Sequence, residues 1–509
     1  METFKKIMGE DGSFPILAII MIGLLVFTGF GYMKWGSDEG LEVAYERAQL
    51  QAYYAAHGGV FDIGFTDLRS LSPNAIPPEP VILGGGIITD YEGNTTSYVH
   101  EVIRAPDVNV MGTAMADYNY LDIISVGRVE IKGYDGKSYT VYDTSKMKIQ
   151  LMGLANFLYL TDIETTIFGE VIKFWQEDTL DGWVHSNDTI AIMNNPVFYD
   201  RVTTTAPIFF EAIGFNPQFV NYDPIFEYRE IYLPEEATEI RNAASAGGTY
   251  FGDANGYWAS RLVFLDRSGW RLYQWPFGTP FDSSAVVATG SPPAWQAIWV
   301  DGYLELQGVV RGQVTVGAHG HYNPTFLGYH CIRLVDDIRY YFANPNTGAF
   351  NDSTANAPAD ILGIVSEQNI TIGDTWANGR QDGKFRTNFN PDSCHIVITA
   401  AMVALGESFS FEDQNEDPGT CTPWEFWNGT YNFMINGNPA RDERGDIFMH
   451  GAITQKRRGY VHRSNQGGTG YGKHYNFDKR LSQMSPPYFI EATDSEGHAL
   501  FEVISWDLR

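Results

Sequence analysis

The sequence has few cysteines and contains none of the short motifs in which cysteines usually carry chemistry. Among 509 residues there are 3 cysteines, and none forms a Cys-x-x-Cys pair. This excludes a disulfide framework and the common zinc and redox motifs. Cys394 and Cys421 could form a single disulfide in an oxidising compartment, and free buried thiols are the alternative.

Basic residues are also scarce. The chain has 34 Lys and Arg but 62 Asp and Glu, which gives a formal net charge of −28. Such a field repels phosphates, so we expect no nucleic-acid partner. Acid-rich loops that bind Ca²⁺ would be a specific use of this charge, but the sequence has no EF-hand loop and no Gly-Gly-x-Gly-x-Asp repeat. General surface acidity is therefore favoured, and no cofactor is predicted.

One uncharged apolar run, from Phe14 to Met33, is long enough to cross a bilayer as a helix, at about 1.5 Å per residue and roughly 30 Å in all. Lys5 and Lys6 precede it and place the N-terminus inside. A signal peptide is the alternative, although no small-x-small cleavage site follows cleanly. The residues expected in the membrane or in a filament core include Phe14, Pro15, Ile16, Leu17, Ile19, Ile20, Leu24 and Leu25.

The helical pattern continues beyond the apolar run. Leu41, Ala44, Ala48 and Ala52 recur at helical spacings, and Gly58-Gly59 is a plausible stop. The sequence therefore predicts one helix from the apolar run to about residue 56.

Asp11-Gly12-Ser13 before the apolar run, and the stretch Ala48-Gln-Leu-Gln-Ala-Tyr-Tyr-Ala-Ala56 after it, resemble the N-termini of minor-pilin-like proteins of type IV pili and type II secretion systems. In that family a peptidase removes a leader after a glycine. The resemblance implies cleavage between Gly9 and Glu10, with Gly12 as the second candidate. It also implies insertion in the inner membrane and polymerisation with itself or with other pilin-like subunits.

Main-subunit pilins usually carry Glu at the fifth mature position, where cleavage after Gly9 would place Phe14. This departure puts the cleavage and a main-subunit role in doubt, and an uncleaved single-pass anchor is the alternative.

The remaining sequence favours β-structure in two parts. We predict residues 1–60 as the helix, residues 61–180 as a linker and an antiparallel β-rich region with a hairpin at Asp135-Gly136, and residues 181–509 as an exported domain. Short apolar pairs separated by Gly, Asn, Asp and Pro are typical of a parallel β-helix, here right-handed, so the fold class is mainly β. A β-sandwich with insertions is the alternative.

Several segments beyond about residue 110 resemble a bacterial family of pilin-associated envelope proteins that contain a domain of unknown function (number 4900). They include Leu180-Asp-Gly-Trp-Val-His-Ser-Asn187, Gly451-Ala-Ile-Thr-Gln-Lys-Arg-Arg-Gly459 and Gly470-Tyr-Gly-Lys-His-Tyr-Asn-Phe-Asp-Lys-Arg-Leu481. The resemblance implies a cell-envelope location and an architecture more than any chemistry.

No cluster of reactive residues predicts an enzyme. His185 and Ser186 lie side by side without a Gly-x-Ser-x-Gly elbow, so we expect them to stabilise a turn. His319 and His321 could face one metal ion if they lie on a strand, but no third ligand is obvious nearby.

Residues 446–480 carry an excess of basic residues in a chain that is acidic as a whole. We predict that this basic segment docks on the acidic body of a neighbouring subunit, and a solvated basic turn is the alternative. Its basic residues are Lys456, Arg457, Arg458, Arg463, Lys473, Lys479 and Arg480.

Together these features predict a structural, pilin-like cell-surface protein that is a subunit or minor component of a type IV pilus-like filament or secretion assembly. It would be anchored in the inner membrane with its C-terminal domain exported, or lie in an extracellular filament. A membrane-anchored carbohydrate-binding adhesin and a glycan-active β-helix enzyme are the alternatives.

Overall fold

The computed structural model describes residues 13–72, 81–89, 95–105, 120–132, 136–166, 169–247, 249–253, 256–323, 328–352, 359–375, 377–378, 395–412, 434–435, 438–439, 443–463 and 469–506. The fold is mainly β, with 44% strand and one long N-terminal helix. This coarse fold class was predicted from the sequence.

The helices are α1 (Ser13–Gly58), α2 (Phe65–Arg69) and α3 (Thr238–Gly247), with a π-helix at Gly59–Gly64 and 3-10 turns at Leu154–Asn156, Asp266–Ser268 and Lys479–Ser482. The strands are β1 (Val81–Thr89), β2 (Thr95–Ala105), β3 (Tyr120–Lys132), β4 (Ser138–Leu151), β5 (Tyr159–Ile163), β6 (Thr179–Leu180), β7 (Val184–Ser186), β8 (Ala191–Ile192), β9 (Val197–Phe198), β10 (Val202–Thr204), β11 (Phe210–Glu211), β12 (Gln218–Phe219), β13 (Tyr250–Phe251), β14 (Trp258–Leu265), β15 (Trp270–Pro276), β16 (Val286–Gly290), β17 (Gln296–Val300), β18 (Tyr303–Val310), β19 (Gln313–Ala318), β20 (His321–Asn323), β21 (Gly328–His330), β22 (Ile332–Tyr340), β23 (Ile361–Ser366), β24 (Ile370–Ile372), β25 (His395–Ile398), β26 (Ala401–Ala404), β27 (Phe409–Phe411), β28 (Met434–Ile435), β29 (Asn438–Pro439), β30 (Glu443–Arg457), β31 (His462–Arg463), β32 (Thr469–Phe477) and β33 (Phe501–Trp506).

The long helix α1 has an apolar first half and a second half rich in small residues. It is long and apolar enough to cross a membrane, and its most apolar window is 0% buried. α1 ends at the predicted position, Gly58-Gly59, but the chain does not leave the helical conformation there. Gly58 has φ −59° and ψ −41° instead of the left-handed conformation that ends a helix, so the chain stays helical to Arg69.

An antiparallel sheet packs against the second half of α1. Its strand order is β1-β2-β3-β4-β33, and β3 and β4 form the hairpin predicted around Asp135-Gly136. Ala48, Ala52 and Ala56 are buried. A Cβ atom on Gly127 of β3 would lie 2.1 Å from the Ala52 carbonyl oxygen, so the helix rests directly on the strand.

The fifth strand of this sheet comes from the far end of the described chain. β33 pairs antiparallel with β4, so everything between Leu151 and Phe501 is inserted between two neighbouring strands of one sheet. Strand pairing therefore crosses the predicted boundary near residue 180, and the division into 61–180 and 181–509 stays a prediction. Parallel pairing already begins at β5, and the end of the chain returns to the helix-bound sheet.

Two ladders of parallel strands organise the insertion. The first ladder has the order β13-β17-β19-β23-β26-β30-β5-β7-β10. The second runs from β14 through β18 to β22, and then by way of β25 and β30 to β32. The parallel strands β6, β9 and β12 form a further short sheet.

Side chains of the first ladder stack in register across its strands. Because paired residues of neighbouring parallel strands point to the same face, apolar residues line up into one buried column. The column consists of Ile298, Val316, Ile364, Met402, Ile453, Tyr159, Val184 and Val202.

The chain enters the first ladder in its middle. It starts at β5, builds outward through β7 to β10, and later resumes at the opposite end with β13. From there the strands run back until β30 pairs with β5. We call this β5–β30 contact, which joins residues about 294 positions apart, the seam.

Candidate functional site

Basic side chains meet acidic side chains across the seam. The acids precede β7, and the bases lie in and after β30. Four ion pairs connect the two sides: Lys456–Asp162, Arg458–Glu164, Lys473–Asp178 and Lys479–Asp181. Opposite charges of this kind set the register of an interface. The basic segment that stood out in the sequence therefore faces an acidic region of its own chain.

This arrangement corrects part of the docking prediction. Arg458 is 4% exposed and Arg480 is 0% exposed, and Arg480 pairs with Asp478 at 2.6 Å. Because a buried guanidinium cannot contact a neighbouring subunit, the prediction is wrong for these two residues. Docking through Lys456, Arg457, Lys473 and Lys479 stays a prediction, and the side chain of Arg463 lies outside the described residues.

Arg458 and Glu164 form the buried centre of the seam. Their closest N–O distance is 2.8 Å, and the Arg458 guanidinium lies 3.7 Å above the ring of Phe174. Burial acts to lower the Arg458 pKa, but the charge of Glu164 and its neighbours outweighs it, so the pKa is raised. The guanidinium remains charged, and loss of one partner of such a buried pair typically costs about 3–5 kcal/mol.

A cleft of about 270 Å³ opens beside the seam, close to the lower size limit of small-molecule pockets, about 300 Å³. Phe174 and Trp175 line it from the segment between β5 and β6, and His462 and Tyr475 line it from β31 and β32. The rings of Trp175 and His462 stack, with centroids 5.8 Å apart and planes inclined by 18°. The cleft thus has an aromatic wall built from both sides of the seam.

Polar groups interrupt this aromatic lining. The buried carboxylate of Asp178 accepts a hydrogen bond from the backbone N–H of Trp175 at 3.0 Å and forms its ion pair with Lys473. Lys173 also lines the cleft and contacts the Val171 carbonyl oxygen at 3.4 Å. Two of the cations in the lining, Arg458 and Lys473, are therefore already paired with carboxylates.

Tyr475 lines this cleft, and its buried hydroxyl is unsatisfied. Its side chain is 8% exposed, and its hydroxyl has no hydrogen-bond partner among the described residues. Burial raises its pKa well above the usual range, so the group stays a protonated donor. A buried polar atom without a partner costs about 1–3 kcal/mol, which a ligand or an ordered water that reached this hydroxyl would recover.

The predicted membrane or filament-core residues are solvent-exposed apolar side chains on α1 wherever they are described. They are Ile16, Leu17, Ile19, Ile20, Leu24 and Leu25. For Phe14 and Pro15 only the helical backbone is described. The leader candidates Gly9 and Glu10, the alternative Gly12, and the cysteines Cys394 and Cys421 lie outside the described residues.

The histidine clusters have local partners. The ring of His185 contacts Thr203 Oγ1 at 2.8 Å and Asn187 Oδ1 at 2.9 Å, and burial lowers its pKa to about 4. These contacts support the predicted structural role. His319 pairs with Glu367, while the side chain of His321 is not described. Within the described ranges, no group of three or more His, Cys, Asp or Glu could hold a metal ion.

Sequence reasoning missed the cleft, and Lys473 was singled out only as a docking residue. The two walls lie far apart in the chain, as the hydrogen bond from Tyr460 to Glu170 across 290 positions illustrates. Lys473 and Tyr475 are two residues apart on β32, so the period of two in a strand predicts that they lie on the same face. Nothing in the sequence indicates that this face meets Trp175.

Comparison with models of protein families, with curated proteins and with solved structures finds no match for this chain.

Proposed function

We propose that this chain is a membrane-anchored, pilin-like surface protein with a structural role. The first half of α1 holds it in the inner membrane or in the core of a filament, and the β-rich insertion projects outward. The observation that carries this proposal is the division of α1. None of the described residues buries the most apolar window of its first half, while its small-residue half is packed on a sheet.

Burial elsewhere would greatly stabilise the exposed apolar half. Apolar surface removed from water contributes about 25 cal/mol per Å², and side chains such as Leu25 and Phe27 are largely exposed. A bilayer or the apolar stripes of neighbouring helices would supply that cover. The packing of α1 on the sheet would then hold the insertion at a fixed distance from this anchor.

The position of the insertion fits display of a large domain. The sheet receives its last strand from beyond the insertion, so both ends of the insertion are tied to the helix-bound sheet. We further propose that the two parallel ladders are faces of one right-handed β-helix. The nine-strand order of the first ladder and its stacked apolar column support this architecture.

Two leucines on α1 provide a matched test of the anchor. Leu25 is 67% exposed in the apolar half, and Leu50 is 55% exposed in the half beside the sheet. Leu25→Arg places a charge where the proposal puts lipid or helix neighbours, at a cost of about 2.5–3.5 kcal/mol. Leu50→Arg places the same charge in water.

Membrane fractions and sheared surface material from cells that produce each variant give the measurement. We expect Leu25→Arg to shift the protein out of both fractions and Leu50→Arg to leave it there. Retention of Leu25→Arg at the level of the unsubstituted chain would contradict the proposal, as would equal loss of both variants.

A further inference from the structure

We propose that the cleft beside the seam binds one ring of a sugar. This site goes beyond the anchoring role and does not depend on it. It needs only the contact between the strands around β5 and the strands after β30.

The first argument comes from the shape and the lining of the cleft. Its aromatic wall, formed by Trp175 stacked on His462, offers a flat apolar surface of the kind that the C–H face of a pyranose ring covers. Its volume of about 270 Å³ suits a single ring-sized ligand better than a bulky one.

The second argument comes from the unsatisfied hydroxyl. Tyr475 lines the cleft, is more than nine-tenths buried and lacks a hydrogen-bond partner. After a small shift of the ring, a ligand hydroxyl group would pair with this atom, whereas a purely apolar ligand would leave it unsatisfied. The site therefore favours a ligand with flat apolar faces and a polar edge.

The third argument comes from charge. Arg458 and Lys473 are already neutralised by Glu164 and Asp178, so most of the cleft offers no free charge to an ionic ligand. Lys173 is the cation of the lining for which the described structure shows only a long contact to a carbonyl oxygen. A neutral sugar suits a lining whose cations Arg458 and Lys473 are already paired. A sugar that bears a carboxylate would add a contact to Lys173.

The test uses the full chain in a detergent without a sugar headgroup. Glucose, galactose, N-acetylglucosamine, glucuronic acid and galacturonic acid are titrated separately and followed by saturation-transfer difference NMR. We expect at least one of them to bind. Comparison of the three neutral sugars with the two uronic acids shows whether Lys173 contributes to binding.

Substitution of two tyrosines on β32 distinguishes an effect on sugar binding from an effect on the stability of the fold. Tyr475→Phe removes only the unpartnered hydroxyl, so we expect the thermal midpoint to stay the same or rise and sugar affinity to fall by about 3- to 10-fold. The Tyr471 hydroxyl donates to the Asn378 carbonyl oxygen at 2.7 Å in the interior. Tyr471→Phe should therefore lower the midpoint and leave affinity unchanged.

Failure of all five sugars to bind the unsubstituted chain would overturn the proposal. Equal affinity of the Tyr475→Phe variant and the unsubstituted chain would overturn it as well. Neither result bears on membrane anchoring, which is measured separately through Leu25.

Discussion

At the residue scale, several buried polar side chains of the insertion lie in register on neighbouring parallel strands. His185, Ser186 and Asn187 resemble a reactive cluster when read along the sequence. In the fold, Ser186 lies in a column of polar residues that includes Thr161 and Thr204, and His185 bonds to Thr203 and Asn187. The sequence predicted their structural role, because no nucleophile elbow accompanies them.

His185 makes the stability of the fold depend on pH. Its pKa is about 4 in the folded chain against an ordinary value of 6.5. Below pH 6.5 the unfolded chain takes up a proton that the folded chain refuses until about pH 4. The free energy of unfolding should therefore fall by on the order of 3 kcal/mol from this group between pH 6.5 and 4.

Denaturant unfolding of the unsubstituted chain and of His185→Gln across this pH range measures the effect, since the variant lacks the titrating group. His319→Gln is a control of opposite sign. The hydrogen bond to Glu367 raises the pKa of His319, so its contribution is complete below pH 6.5 and is lost as the pH rises. A pH slope that His185→Gln leaves unchanged would refute the assignment.

At the element scale, the contact between α1 and the antiparallel sheet connects the helix to the insertion, because both ends of the insertion belong to that sheet. The alanine spacing predicted an amphipathic continuation of the helix, and the buried Ala48 and Ala52 confirm it. A glycine inside a strand indicates that another backbone can approach closely there, but the sequence did not indicate that the element resting on Gly127 is α1. It also gave no sign that β33 completes the same sheet.

Gly127→Ala tests this contact. A Cβ atom there would lie 2.1 Å from the Ala52 carbonyl oxygen, so helix and strand must separate, and we expect a lower thermal midpoint and faster proteolysis near residue 52. Gly36→Ala is the matched control, because no atom lies within 4 Å of its added methyl group. That change should stabilise the helix by up to about 1 kcal/mol. Equal behaviour of the two variants would show that α1 does not lie on β3.

At the scale of the whole molecule, the path of the chain explains which predictions held. Local patterns predicted the long helix, the hairpin and a mainly β fold, since each depends on residues close together in sequence. The seam joins residues almost three hundred positions apart, so no local pattern could reveal it. Basic residues in 446–480 form ion pairs with acidic residues, as their excess in the sequence suggested. The chain's own acidic residues, Asp162 and Glu164 among them, supply that partner for Lys456 and Arg458.

The position of the mature N-terminus tests the anchoring proposal most directly. Mass spectrometry of the full-length protein purified from membranes and from sheared surface material would measure it. We predict a mature chain that begins at or before Phe14 and so retains the exposed apolar half of α1. A mature chain that begins beyond Met33 would mean that this half is a removed signal sequence, and it would contradict the account.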